Sequence, residues 1–351
     1  MLEDMELEKQ LQFLNKPTIK TVKTKYGDTY DCVDFYKQHA FDHPLLMDHN
    51  FHPKMKPTLS MIKRNSYAST TSRLSTIWSK DGDCPPGTVP IKRITKNDLI
   101  RQRDMPPPEP ANFDDESVGS KNNSAQIKAS YMPSYGYKRA IAQIPKDPNT
   151  KFTGAGMATN VDPTLYGDNT MRLFIHFQIT CKFNCFNTLC PGIVQVNTKI
   201  PLDISLEGIL SQRGGTKLEL LMYIYKDPDD GNWWLLLGES YTQIGFWPHI
   251  IFTELTSFAT NIEWGGVTYN PPCVPEPPMG SSYFPVENSS FDGFCRSIAI
   301  SNEKGDSVGI DNIIWRTDNI FAYKVVFKKL LEGLDSFTYV FYGGPGNNAQ
   351  I

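Results

Sequence analysis

Asn232-Trp233-Trp234-Leu235, Gly245-Phe246-Trp247-Pro248 and Ile262-Glu263-Trp264-Gly265-Gly266 form the aromatic centre of this sequence. They hold four of the six tryptophans, and each is bounded by Gly, Pro or Asn. The residues between them alternate between apolar and polar, as in strands with one buried face. We therefore predict a β-rich domain that binds a ligand or carries out catalysis.

The same alternation extends over the C-terminal part of the chain. It runs through residues 171–179 and 218–224, and turn signals recur at Arg213-Gly214-Gly215, 228–231 and 303–306. Such spacing is typical of an antiparallel β-sandwich. The one helix expected to interrupt the strands is Trp247 to Phe258, with Pro248 near its start.

The N-terminal part has a different pattern. Apolar residues recur at helical spacing from Leu2 to Leu14, Thr18 to Phe35 resembles a hairpin, and a second, charged helix is predicted from Thr95 to Arg103. The Pro-rich and acidic stretch that follows cannot bury enough apolar area to order itself. We predict a mainly β protein with three parts: a small α+β domain (1–104), an exposed linker (105–125) and an antiparallel β-sandwich (126–351).

Composition excludes several classes of partner. The 351 residues include 40% hydrophobic residues, enough for one large or two modest cores, and the formal charge of −3 argues against nucleic acid as a partner. No apolar run is long enough for a membrane span, and the acidic start, Met1 to Glu6, is not an export signal. The cysteine spacing, by contrast, favours disulfides over zinc and indicates an oxidising compartment.

Several blocks in the chain resemble the plant neprosin family. In the N-terminal part these are Asp31-Cys32-Val33-Asp34, Gln38 to Leu46 and Cys84-Pro85-Pro86-Gly87, which are similar to the neprosin activation segment. In the larger part the blocks follow the family order and cover nearly the whole region: 162–168, 185–192, 232–235, 245–248, 263–266 and 342–346.

This resemblance implies a secreted or vacuolar zymogen whose β-sandwich is a glutamic endopeptidase that cuts after proline at acid pH. Its chemistry needs two glutamates across a cleft, one ionised and one protonated. No cofactor and no metal are implied. The expected partner is a proline-containing peptide or protein, or, for a non-enzymatic binding module, a peptide or cell-wall polymer.

The expected glutamates are missing from this chain. Gly154-Ala155-Gly156 runs almost directly into the block that starts at Asp162, so the chain is internally shortened near 159–161 and the segment of the first glutamate is absent. Val267 stands at the expected position of the second. We therefore predict impaired catalysis; the alternative is an active enzyme with a different carboxylate pair.

The remaining candidates have both functional and structural interpretations. Glu263 and Glu239 are possible substitute acids, although a glutamate in a strand or turn more often faces water. Trp234, Trp247 and Trp264 are candidates for a substrate groove, or for the core. The resemblance implies a disulfide between Cys185 and Cys190, while Cys32–Cys84 and Cys273–Cys295 remain possible pairs. His39, His43, His49 and His52 lack matching ligands for a metal but could sense pH.

Overall fold

The computed structural model describes residues 2–58, 82–104, 136–145, 150–157, 171–173, 175–180, 183–207, 211, 213–215, 219–238, 240–310, 312–332 and 335–347. The helices in these residues are α1 (Leu2–Leu14) and α2 (Lys96–Asp104). The strands are β1 (Thr18–Lys23), β2 (Thr29–Asp34), β3 (Thr88–Lys92), β4 (Gly136–Gln143), β5 (Phe152–Met157), β6 (His176–Thr180), β7 (Phe183–Phe186), β8 (Val194–Gln195), β9 (Met222–Lys226), β10 (Trp233–Leu237), β11 (Thr242–Trp247), β12 (Glu263–Asn270), β13 (Met279–Gly280), β14 (Gly293–Arg296), β15 (Ile300–Asn302), β16 (Ser307–Val308), β17 (Ile314–Thr317), β18 (Lys324–Glu332) and β19 (Asp335–Gly344).

The described strand pairs are antiparallel, which confirms the mainly β fold class. The chain divides into two compact units whose boundaries do not follow chain order. Unit 1 comprises Met1–Pro107, Val161–Ile209 and Leu220–Phe258; unit 2 comprises Pro108–Asn160, Leu210–Glu219 and Ala259–Ile351. The three-domain division stays a prediction, since the linker at 105–125 and the junction at 159–161 lie outside the described residues.

In unit 1 the N-terminal residues form a three-stranded sheet, β1-β2-β3. The hairpin predicted between Thr18 and Phe35 is present as β1 and β2, and a disulfide joins Cys32 on β2 to Cys84. Helix α1 has the bounds that the spacing predicts. Helix α2 begins after Thr95, whose hydroxyl donates to the Asp98 carboxylate while its oxygen accepts from the Asp98 backbone, a capping arrangement.

A second sheet in unit 1 holds the tryptophan pair. Strand β10 lies between β9 and β11, and β8 pairs with the other edge of β11. Successive side chains of a strand point to opposite faces. The Trp234 side chain is therefore inside the apolar cluster of one face, while the Trp233 indole on the other donates to the Leu255 carbonyl at 2.7 Å.

The helix predicted from Trp247 to Phe258 is wrong. Strand β11 continues through Trp247, Pro248 is extended, and only a short 3₁₀ turn, His249–Ile251, follows before Phe252 becomes extended again. The reason lies in the residue types, because Ile250, Ile251, Phe252 and Thr253 have low helix propensity.

Unit 2 contains the sheets β12-β4-β17 and β13-β19-β14, with β18 on β19. Its core collects the inward-facing residues of these strands, among them Ala140, Ala142, Trp264 and Val340. The sequence from Phe337 to Tyr342, which is typical of a core strand, lies in β19. The turn predicted at Glu303 to Asp306 is closed by a hydrogen bond from the Gly305 amide to the Asn302 carbonyl.

An ion pair is buried on the core side of β4. The Lys138 ammonium lies 4.0 Å from the Glu276 carboxylate, and only 2% and 3% of the two side chains are exposed. The Asn319 amide donates to the same carboxylate at 2.7 Å. A charge removed from water at this depth depends on its partner, since the interior cannot replace its lost hydration.

We expect the substitution Lys138→Met to lower the free energy of unfolding by about 3 kcal/mol, because it leaves the Glu276 carboxylate buried without its cation. Urea unfolding of the full chain measures the change. The matched control is the double variant Lys138→Met/Glu276→Gln, which removes both charges and should recover part of the loss. Equal stability of the single and double variants would show that the pair does not act as argued.

Candidate functional site

Glu263 and Val267 lie on the side of the sheet β12-β4-β17 that is opposite the core of unit 2. Trp264, Ala140 and Ala142 point into the core of unit 2, so the residues that alternate with them share the opposite face. We call this surface the charged face; it is formed by Tyr137, Arg139, Ile141, Gln143, Glu263, Val267, Tyr269, Ile314, Arg316 and Asp318.

The strand register arranges the charged face in rows. Glu263 lies opposite Gln143, and Val267 lies opposite Arg139. On the other side of β4, Arg316 pairs with Ile141. Asp318 continues past the end of β17 beside Arg139, whose backbone N–H donates to the Asp318 carboxylate at 2.8 Å.

Gly265 separates the Glu263 and Val267 rows, and only glycine fits there. Its φ is +147°, and a Cβ would come within 2.1 Å of the Ala140 carbonyl oxygen. The charged face therefore has a gap without a side chain between these two positions. A carboxylate at 267 would be separated from the one at 263 by this gap.

Glu263 is half-buried and held by its neighbours. The Asn261 amide donates to its carboxylate at 2.9 Å, and Arg316 acts on it electrostatically. Burial lowers the pKa of Arg316 to about 10; Asp318 and Glu263 oppose the shift, and Arg139 adds to it. Even so, the guanidinium stays protonated at neutral and acid pH, so the Glu263 side chain lies near a permanent cation.

Val267 is 37% exposed on the charged face, so solvent reaches the expected position of the second glutamate. Its isopropyl group has no proton to exchange. The two carboxylates of this face, Glu263 and Asp318, stand on the outer strands four residues apart along β4, roughly 14 Å in the strand direction. Among the residues that the structure describes, the charged face offers no carboxyl pair close enough to share a proton.

The three candidate groove tryptophans are all buried: Trp234 is 0%, Trp247 4% and Trp264 1% exposed. Trp234 packs on Phe246, Trp247 lies edge-on to Phe177, and Trp264 belongs to the core of unit 2. None of them is open to a ligand as the chain is folded here. Glu239 lies outside the described residues.

Among the residues that the structure describes, cysteines form two disulfides, of which Cys32–Cys84 is given above. A disulfide joins Cys185 to Cys190, the pair that the family resemblance implies. The possible Cys273–Cys295 bond is not formed, because Cys295 is buried on β14, whereas Cys273 is exposed in a turn with a positive φ.

Within unit 1, the N-terminal residues cover one face of the sheet that contains Trp233 and Trp234. Phe35, Ala40 and Val89 pack in one apolar cluster with Trp234 and Phe246. The Phe51 ring lies edge-on to Phe246 with 5.0 Å between the ring centroids. This contact is why Trp234 has no exposed surface. The residues that cover this face belong to the same polypeptide, so the face is covered as soon as the chain folds.

Gln38 completes the edge of the same sheet. Its side-chain oxygen accepts from the Gln195 backbone N–H at 2.7 Å, and its side-chain nitrogen donates to the Gln195 carbonyl at 3.2 Å. The side chain thus imitates a neighbouring strand and satisfies β8 at its outer edge. Gln38 belongs to the block Gln38 to Leu46, but its sequence context does not predict this role, because only the folded position of β8 reveals it.

The N-terminal histidines do not converge on one point. The Nδ1 atoms of His43, His49 and His52 each accept from a backbone N–H two residues later, at 3.2, 3.1 and 3.3 Å. Among the described residues, no group of three or more His, Cys, Asp or Glu side chains is placed to hold a metal ion.

His39 differs from the other three because it is buried. Its Nε2 donates to the Leu14 carbonyl at the end of α1, while its Nδ1 is buried with no hydrogen-bond partner. Burial lowers the pKa of His39 to about 4, and the nearby Lys16 ammonium adds to the shift. His39 is therefore neutral in the folded protein near pH 7.

Models of known protein families match both parts of the chain. The neprosin model matches residues 138–345, and the neprosin activation peptide model matches residues 21–143. In the residues that the structure describes, no helix has the length and apolar character to cross a membrane. The first match covers more than half of the chain, and the order of the two agrees with the blocks quoted above. The chain therefore belongs to the neprosin family and has that family's layout, an activation peptide followed by a neprosin domain.

Proposed function

We propose that this chain is a neprosin-family protein with a zymogen layout and an impaired glutamic peptidase site. The observation that carries the proposal is Val267, which lies open to solvent on the charged face where the second glutamate is expected. Hydrolysis of a peptide by two carboxyl groups requires one to take a proton from water and the other to give one to the leaving amine. One of these groups has no counterpart at this position.

The groups that remain on the charged face do not replace it. Glu263 can accept a proton, but the Arg316 guanidinium on which it acts keeps its proton at acid pH and cannot serve as a general acid. A carboxyl pair functions at low pH because two nearby charges push their pKa values apart. Glu263 and Asp318 are too far apart for that coupling.

Loss of catalysis leaves peptide binding as the activity we propose. The ligand we propose is a proline-containing peptide or protein, with a cell-wall polymer as the second candidate; nucleic acid and membrane are not proposed. Members of the neprosin family are extracellular or vacuolar, and we propose the same location for this chain. The N-terminal cover over Trp234 supports a form in which part of the ligand surface is closed until the activation peptide leaves.

We expect the folded full chain to cleave a proline-containing quenched peptide at acid pH at least a thousand-fold more slowly than an active family member. General acid–base groups each contribute about 10² to 10⁴ in rate, and one of the expected pair is missing at position 267. The same assay is run on Val267→Glu, which restores one carboxylate beside Arg139 and should remain slow because its former partner is absent.

The matched control is Glu263→Gln, which keeps the shape of the side chain and removes its charge. Cleavage after proline by the parent chain that disappears in Glu263→Gln would overturn the proposal and identify a substitute catalytic group. Circular dichroism of each variant establishes that a slow rate does not come from unfolding.

A separate expectation concerns the pH dependence of stability. The pKa of His39 is about 4 when folded and about 6.5 when unfolded, so the unfolded chain takes up the proton first as the pH falls. The stability due to neutral His39 is therefore present above pH 6.5 and is lost between pH 6.5 and 4. We expect this loss to be about 3 kcal/mol.

The comparison variant is His39→Gln, which retains an amide donor for the Leu14 carbonyl and does not titrate. The free energy of unfolding of both chains is measured in urea at pH 7.5, 5.5 and 4.5. The difference between the two chains at each pH removes the contribution of the other titrating groups. The parent should lose more stability than the variant on acidification. Parallel curves would show that His39 does not contribute.

A further inference from the structure

A loop of unit 2 exposes several large apolar side chains close together. Between β13 and β14, Tyr283 is 41%, Phe284 40%, Val286 63% and Phe291 38% exposed. Isolated apolar residues are common on surfaces, but a cluster within nine residues indicates a surface that something covers. The Arg213 guanidinium lies over the Tyr283 ring at 4.1 Å and over the Phe291 ring at 5.3 Å. We call these five residues the aromatic platform.

The same loop contains the sequence Asn288-Ser289-Ser290, an Asn-x-Ser sequon. Asn288 is exposed, and its side-chain oxygen accepts from the Ser290 backbone N–H at 2.9 Å. This turn holds the amide oxygen toward the protein backbone. The contacts described for the exposed Asn288 side chain involve this oxygen and not the amide nitrogen.

The loop around the sequon is well supported rather than loosely attached. The buried Asp292 carboxylate accepts from the backbone N–H groups of Val286 and Asn288 at 3.0 and 2.9 Å. The Gly214 amide donates to the Ser290 carbonyl at 2.6 Å. These hydrogen bonds keep Asn288 beside the aromatic platform.

We propose that Asn288 carries an N-linked glycan and that the first sugars of this glycan cover the aromatic platform. Sugar rings present C–H groups that pack on aromatic faces, and their hydroxyl groups remain in water. The sequon identifies the group that covers the aromatic platform. A glycan attached at Asn288 begins within five residues of Tyr283 and three of Phe291. Attachment explains why a cluster of this kind is tolerated on the surface.

The covalent step uses an oligosaccharide carried on a lipid diphosphate. The Asn288 side-chain nitrogen bonds to the anomeric carbon of the reducing-end sugar, and the bond from that carbon to the diphosphate oxygen breaks. The nitrogen loses one proton to a base, and the lipid diphosphate is the leaving group. No oxidation or reduction takes place.

The test is expression of the full chain behind an added secretion signal in a glycosylating eukaryotic host, followed by peptide mapping with and without peptide-N-glycosidase. We expect the Asn288 peptide to carry a glycan that the enzyme removes, leaving aspartate at 288. A secreted, folded chain whose Asn288 is unmodified would overturn the proposal. Mapping the unsubstituted chain decides this point without any variant.

Substitutions separate this site from the other sequon, Asn122-Asn123-Ser124, which lies outside the described residues. In the background Asn122→Gln, the chain should keep one glycan. Ser290→Ala in that background should lose it, and Ser290→Thr, which preserves the sequon, should retain it. A glycan that persists in the Ser290→Ala chain would place the attachment elsewhere and contradict the assignment.

A separate measurement tests whether the glycan covers the aromatic platform. Removal of the glycan from the native protein should increase the fluorescence of a dye that binds exposed apolar surface. Val286→Ser, which reduces the apolar area of the platform, should diminish that increase. Unchanged dye fluorescence after complete deglycosylation would show that the glycan does not cover the aromatic platform.

Discussion

Strand β4 pairs with both β12 and β17, and the register of these pairings decides which residues share the charged face. The alternation along β4 sends Lys138, Ala140 and Ala142 into the core and Arg139, Ile141 and Gln143 to the opposite face. A shift of one residue in register would exchange the two sets. The buried Lys138–Glu276 pair and the close approach at Gly265 both oppose such a shift. The position of Val267 on the charged face follows from this register.

On the charged face, Val267 stands at the position where a second carboxyl group is expected, while the strand pairing around it is intact. A carboxyl pair works because the two groups influence each other's proton affinity over a short distance. Here one such position holds a valine, and the remaining carboxylates lie beside Arg139 and Arg316. Arginine stabilises a negative charge without exchanging protons, so Arg139 and Arg316 contribute positive charge to this face rather than proton transfer.

The N-terminal part covers the face of the sheet around Trp234 and also completes the edge of that sheet. Gln38 satisfies the outer edge of β8, and Phe35 and Ala40 fill the cluster around Trp234. Some of the apolar surface that would otherwise drive aggregation is therefore buried by residues 18–58 and 82–104. Neutral His39 makes the attachment of α1 sensitive to acid, because protonation would place a charge on a buried nitrogen without an acceptor.

The local structure and the family could be predicted from the order of residues along the chain. The spacing of Leu2 to Leu14, the turn at Gly27 and the alternation of β19 were sufficient because these depend on neighbouring residues. The prediction of a helix at 247–258 was wrong because Pro248 also fits an extended chain, and strand β11 continues up to Trp247. Tertiary structure alone decided that Trp234 is covered, that Gln38 closes β8, and that Glu263 and Asp318 stand far apart. These contacts join residues distant in sequence, so their geometry depends on strand register and packing rather than on local pattern.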